Sequence, residues 1–334
     1  MKQFTSASDL PEQWDENLSD NLYLRREFLV FLESVDSSEK SYYMFQTPDG
    51  KVLAKMMMHT RKGYNLTMFS GLKTSIKMQF VYFPLSVSRP AIVCCEAARD
   101  EVAAFLKSIK GYKMILNVTE DWQLVDFTRG LTCPRCVLSL RWNSFNNYLR
   151  ELRSGYRRRY KKALEKSAGL NFYFLENNQS FDERLYDLYL EVYNRSKYKL
   201  EKLSIDFFRG ERFKIFVLVN SNDPVGFVQL LDNGAELIFE FVGFSHCKNR
   251  EYDIYIRLLL EIVRYGIENN YQTIDFGQTA DDAKLKLGCY YEPLYALVHH
   301  SNPVINRLIR LASRHIQYKP LDERGFHVFR EGGV

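Results

Sequence analysis

ELIFEFVGFSHCKNREYDIYIRLLLEIVRYGIENNYQTIDFGQTADDAKLKLG, residues 236–288, reads as strand, loop, long helix, strand, and a polar loop entering a second helix. Leu237 to Phe244 is apolar almost throughout, as in a strand covered on both faces, and Glu240 is the one charge inside it. Tyr252, Ile256, Leu259, Leu260, Val263 and Ile267 recur at helical spacing and end before Asn269-Asn270. Gln272 to Phe276 returns as a strand, so the unit is β-α-β with parallel strands and a right-handed crossover. Ligands in such sheets sit beyond the carboxyl ends of the strands, which points to Gly243–Tyr252 and Gly277–Lys286.

Upstream of this stretch, Phe213 to Asn220 and Val225 to Leu231 flank Asn222-Asp223-Pro224 as a hairpin. A strand at Leu170–Leu175 and helices across Phe181–Lys199 precede it, and a long helix, bent near Ser154-Gly155, covers Ser144–Lys166. The first half follows the same order. It gives a helix at Asn21–Val35, a hairpin of Ser41–Thr47 and Val52–His59 around Pro48-Asp49-Gly50, a strand at Gln79–Pro84, a helix at Ala97–Ile109 and a strand at Tyr112–Val118. The expected fold class is therefore α/β, mixed sheets with flanking helices, as two similar folds in tandem. Thr128 to Val137 reads as the connection, giving domains 1–135 and 136–320, with a strand at Leu294–His300 and a helix at Pro303–Ile316 closing the second. Residues 321–334 read as a loosely held tail.

The 334 residues suffice for two cores, and 46% apolar with 26% charged residues is an ordinary globular composition. No apolar run reaches the ~18 residues of a membrane span, and the first residues, MKQFTSASDLPEQWDEN, are polar and unlike a secretion signal. A cytoplasmic protein is expected. Its six cysteines lack a disulfide framework, and Cys133-Pro-Arg-Cys136 stands without the second ligand pair that a zinc site needs, so no metal is expected. Net charge is +5, of which residues 141–168 carry +7 and the remainder −2. So local a charge suits one phosphate-rich ligand, and excludes a general DNA-binding surface. In this run Arg157, Arg158, Arg159, Lys161 and Lys162 alternate with Tyr156 and Tyr160, a pattern that grips RNA phosphates and bases, binds a coenzyme phosphate, or forms a solvated helix face. Pro303 to Lys319 is basic and amphipathic, suited to packing on its own domain or to peripheral contact with an anionic membrane.

The segment DFGQTADDAKLKLGCYYEPLY after the strand–helix pair, and WNSFNNYLRELRSGYRRRYKKALEK before it, resemble the GNAT-type acyltransferase domain of FemAB-like and peptidoglycan-biosynthesis-like proteins. The resemblance runs from about Trp142 to Leu311. It implies transfer of an acyl group, acetyl above all, from acyl-CoA to an amine of a small molecule or peptidoglycan precursor; the Fem variant uses aminoacyl-tRNA instead. By this resemblance Glu240 is the general base and Lys286, in a K-x-G pattern, stabilises the oxyanion. Val242, Gly243 and Phe244 with Lys248, Asn249 and Arg250 would hold the donor, cations standing where the wider family has the glycine-rich R/Q-x-x-G-x-G/A loop. Gln278, Thr279, Lys284, Tyr290, Arg157 and Arg158 would contact substrate, although Thr279 also reads as a helix cap before Asp281-Asp282. A different class of reading keeps the fold and drops the chemistry, as a ligand-binding or scaffold protein with a degenerate donor loop.

Overall fold

The computed structural model describes residues 1–18, 21–67, 70, 74–85, 87–196 and 201–330. The chain forms two compact units, Met1–Pro134 with Pro293–Pro320, and Arg135–Glu292 with Leu321–Val334.

The first unit contains the strands β1 (Lys2–Phe4), β2 (Lys40–Gln46), β3 (Val52–Tyr64), β4 (Ile76–Val81), β5 (Ile92–Cys94), β6 (Tyr112–Val118), β7 (Thr128–Leu131) and, from far along the chain, β15 (Tyr295–His300). They order as β1-β2-β3-β4-β6-β15-β7, with β5 beside β3. β2 and β3 form the expected hairpin. β4 and β6 are parallel, and helix α2 (Arg99–Ser108) lies between them in the chain. Helix α1 (Arg26–Val35) buries Phe28, Leu29 and Leu32, its i, i+1, i+4 stripe. Helix α10 (Pro303–Ile316) packs on β7 and β15.

The second unit contains β8 (Arg135–Ser139), β9 (Asn171–Phe174), β10 (Phe213–Asn220), β11 (Asp223–Asn233), β12 (Glu236–Phe244), β13 (Thr273–Asp275) and β14 (Tyr290–Glu292). Their order is β14-β8-β13-β12-β11-β10-β9. Its helices are α3 (Phe145–Glu151), α4 (Ser154–Lys166), α5 (Glu183–Arg195), α6 (Ile205–Phe208), α7 (His246–Tyr252), α8 (Ile254–Glu268) and α9 (Asp281–Lys286). Leu258, Leu259, Ile262 and Val263 of α8 join Leu237 and Phe239 of β12 and Ile274 of β13 in one core. That is the covering role expected of a helix with one broad apolar stripe.

The two sheets repeat each other pair by pair. β1-β2-β3-β4 and β9-β10-β11-β12 are antiparallel throughout, a parallel pair follows (β4 with β6, β12 with β13), and two antiparallel pairs complete each sheet. The penultimate position is β15 in the first sheet and β8 in the second. The chain therefore leaves the first unit before that sheet is finished, supplies β8 to the second, and returns with β15.

Several expectations are corrected by this exchange. Residues 293–320 complete the first unit and do not close the second, so the 136–320 domain is not a compact body. The supposed connection at Thr128–Val137 is mostly two strands, β7 and the start of β8, interrupted at Pro134. The tail is also held, since Leu152 pairs with Phe329, Val328 is buried, and a Cβ on Gly288 would come within 2.3 Å of the Phe329 ring. Residues 331–334 lie outside the described set, as do 197–199 of the expected helical stretch. The long basic helix breaks at Leu152-Arg153, where that tail pairs, and the helix after β12 breaks at Asp253, which is left-handed at φ 52°.

Candidate functional site

β12 and β13 pair over three residues, Glu236↔Thr273 to Ile238↔Asp275, and then part. The chain after β13 stays with β8, because Phe276 N donates to Cys136 O at 2.8 Å and Cys136 N to Gly277 O at 3.0 Å. β12 continues to Phe244 along β11. Among the described residues, no strand pairs with residues 239–244 on the β13 side. A wedge opens there, lined by main-chain edge.

A β-bulge sits at the mouth of the wedge. Leu230 of β11 faces Phe239, but Gln229 faces Phe241, so Glu240 is the extra residue. Bulges bend a strand and re-aim the side chain beside them, and they recur at active sites. Gln229 is fully buried, and neither its amide oxygen nor its amide nitrogen has a partner. No pattern in the sequence singles it out, because one Gln in an apolar strand carries no period of its own. Beyond the bulge, a Cβ on Gly243 would lie 2.2 Å from the Phe227 ring and 2.6 Å from Tyr189 N, so glycine is required for α5 to approach the strand. Val242 and Phe244 belong to the core with α8, and Phe244 stacks on Tyr255. Gly243, Val242 and Phe244 can therefore offer a ligand main-chain groups, while their side positions serve packing.

The loop after β12 is closed by the protein's own groups. Ser245 caps α7, accepting from Lys248 N at 3.5 Å, and Lys248 Nζ lies 3.3 Å from Asp223. Asn249 Oδ1 accepts from Tyr255 N at 2.8 Å, which spends one of the orphan amides at the start of α8. Asp253, just before that start, receives Arg159 at 2.8 and 3.1 Å and Lys166 at 3.3 Å. The Arg159 hydrogen bond holds its carboxyl below the ordinary range. An anion already occupies the place where a coenzyme pyrophosphate would meet the α8 dipole. Of the other expected contacts, Arg250 and Arg158 are exposed, while Arg157 donates to the Arg150 and Leu152 carbonyls.

Across the wedge, Gly277 (φ 69°), Thr279 (φ 65°) and Ala280 (φ 53°) place the 277–280 turn in the left-handed region. Asp275 Oδ1 accepts from Gly277 N at 2.7 Å and Lys284 Nζ donates to Gln278 O at 2.9 Å, fixing the turn from both ends. Thr279 does not cap α9, whose N-cap is Ala280 with no side-chain bond. Lys284 is 3% exposed, and burial pushes its ammonium below the ordinary value against the pull of Cys136, Asp281, Cys289 and Asp275. Lys286, expected at the reaction centre, is exposed instead and bonds Asp282 at 2.6 Å on the outer face of α9. Tyr290 is also exposed, its hydroxyl 3.5 Å from Glu292. Beneath the turn, Arg135 of β8 bonds Asp275 and Glu236 at 3.1 Å each and Glu292 at 2.8 Å. Tyr291 OH donates to Asp281 at 2.8 Å. Among the described residues, no group of three His, Cys, Asp or Glu is placed to hold a metal ion.

Residues 150–285 match the family model described as an acetyltransferase (GNAT) domain. Similar solved structures include the C-terminal domain of a putative lysylphosphatidylglycerol synthetase from Agrobacterium fabrum, at 15% identity and TM-score 0.52, covering 82% of this chain and 88% of that one. The L-PGS of Bacillus licheniformis is similar at 13% identity and TM-score 0.50, covering 86% and 91%. FemX aligns at 11% identity and TM-score 0.49, over 82% and 90%. No curated protein matches the sequence. The fold and the wedge define a GNAT-type acyltransferase fold, present twice in tandem. The matched GNAT domain lies in the second unit.

Proposed function

We propose that the second unit transfers an acyl group to an amine in the wedge between β12 and β13. The observation that carries this is the bulge placing Glu240 where the parallel pair ends. Glu240 takes the proton of the attacking ammonium, and the free amine forms a bond to the acyl carbon. The tetrahedral intermediate collapses by breaking the bond to the donor oxygen or sulfur; that leaving group takes up the second proton of the amine, and the proton on Glu240 passes to water. Gln278 and Thr279 face the acyl group from the opposite turn, which Lys284 holds in place. Lys286 lies at the rim and meets the acceptor.

The closed start of α8 favours an aminoacyl ester carried by tRNA over acetyl-CoA as donor. Asn249 uses an amide that a pyrophosphate would need, and Asp253 repels that pyrophosphate. Exposed Arg158, Lys161 and Lys162 on α4 suit an RNA backbone, and the lysyl group in the name of the Agrobacterium relative supports an aminoacyl cargo. Acyl-CoA remains the second reading, favoured by the match to the acetyltransferase domain. All six cysteines are free thiols, which supports a cytoplasmic setting. No helix among the described residues is long and apolar enough to cross a membrane.

The test offers the protein labelled aminoacyl-tRNA and labelled acetyl-CoA, each with a panel of small amines and amino-sugar peptides. Label passing to an amine from aminoacyl-tRNA and not from acetyl-CoA supports the proposal. Transfer from acetyl-CoA alone replaces the donor, and binding of either donor without transfer makes the unit a ligand-binding module.

A further inference from the structure

Helix α10 presents two faces of different kinds. Ile309 and Asn306 are buried and Ile305 and Ile316 half-buried, which is the side packed on β7 and β15. On the other side Val304, Leu308 and Leu311 are 67, 58 and 68% exposed. At 3.6 residues per turn these three fall within about 60° of arc. Arg307 and Arg314, both exposed, border that strip, and exposed Arg310 and Lys319 extend the charge. Between Pro303 and Pro320 the sequence has no Asp or Glu.

We infer that this outer face of α10 docks on an anionic lipid bilayer, lying in the plane of the surface. An aliphatic strip standing in water next to arginines is the pattern of an interfacial helix, with the apolar residues entering the acyl boundary and the cations reaching the headgroups. Charge complementarity selects the occupant. A segment with four Lys/Arg and no acid suits phosphatidylglycerol-type headgroups, and the three aliphatic residues at the centre of the strip give an RNA backbone nothing to bind. Pro303 at the first turn and the Asn302 cap, which accepts from Val304 N at 2.9 Å, keep the helix formed off the membrane, so docking requires no folding step. This inference does not depend on which acyl donor the second unit uses.

The test is co-sedimentation of the full chain with vesicles of phosphatidylcholine, with and without phosphatidylglycerol, at low and high salt. Binding to the anionic vesicles alone, weakened by salt, is expected. Leu308→Asn with Leu311→Asn should lower partitioning about 10-fold or more, and Gln at Arg307, Arg310 and Arg314 on the order of 10²-fold. All five side chains are exposed, so circular dichroism should remain that of the parent. Absence of binding by the folded parent overturns the inference, as does binding unaffected by both sets of substitutions. Loss of tRNA binding in the arginine variant without any vesicle binding assigns the face to RNA. A parent dimer that the leucine variant converts to monomer assigns it to a second copy.

Discussion

Replacing Arg135 by Met is expected to destabilise the second unit by about 3–5 kcal/mol. Arg135 is the hub through which the exchanged strand β8 is fastened: its guanidinium meets Asp275 on β13, Glu236 on β12 and Glu292 on β14. Asp275 is fully buried and Glu236 partly buried. Taking away the cation leaves the Asp275 carboxylate, which accepts from Gly277 N at 2.7 Å, in a low-dielectric interior without its guanidinium partner. Removing one partner of a buried pair is expensive for that reason, whereas removing both is much milder. In a unit of this size the loss corresponds to a fall of about 10 °C in Tm. The assay is thermal and urea denaturation of Arg135→Met beside Arg135→Met/Asp275→Asn, which retains the shape of the acid without its charge. The double variant should recover a large share of the loss. If the single variant melts within about 2 °C of the parent, or the double variant is worse than the single, β8 is not held by this cluster and the reasoning fails.

Three further outcomes follow from the same structure. A chain starting at Leu138 should be insoluble although it contains the whole GNAT match, because it lacks most of β8 and retains β15 without β6 and β7; a soluble, cooperatively melting fragment would refute the strand exchange. Burial holds His59 at about 4, below its ordinary 6.5, so the unfolded chain binds the proton more readily. Its stabilisation is complete above pH 6.5 and is lost as pH falls toward 4, at most about 3 kcal/mol. His59→Phe, which keeps the packing on Phe80, should flatten that limb of a stability–pH curve, and an unchanged limb would contradict it. Gln229→Leu should raise the stability of the ligand-free protein by about 1–3 kcal/mol, since a buried amide with no partner is removed. A lower Tm for this variant would show that the amide is satisfied in solution.

The β12–α8–β13 core was legible in the sequence because its signals are local: an apolar strand, a helical stripe and a return strand within some fifty residues. The hairpins were legible for the same reason. β8 and β15 were misassigned because the residues that pair with them lie more than a hundred positions away, and Gly130 and Pro134 between them look like a linker. Lys286 fits the K-x-G pattern and Lys284 stands two residues before it. α9 has six residues, too few for a periodic pattern to say which lysine turns inward, and the answer depends on the Cys136–Asp275 side of the sheet that the turn packs against. The break at Asp253 was invisible for a different reason. Apolar spacing continues across it, and the left-handed residue is held by Arg159 and Lys166, about ninety positions upstream.

The most direct test of the account is transfer of label from the accepted donor to an amine, measured across pH for the parent and Glu240→Gln. The account predicts that turnover by Glu240→Gln falls about 10²-fold or more with donor affinity unchanged, and that the deficit shrinks as rising pH supplies free amine without a base. Lys286→Met should keep the parent turnover and raise KM for the acceptor alone. Parent-level turnover by folded Glu240→Gln at every pH would place the chemistry outside the wedge between β12 and β13.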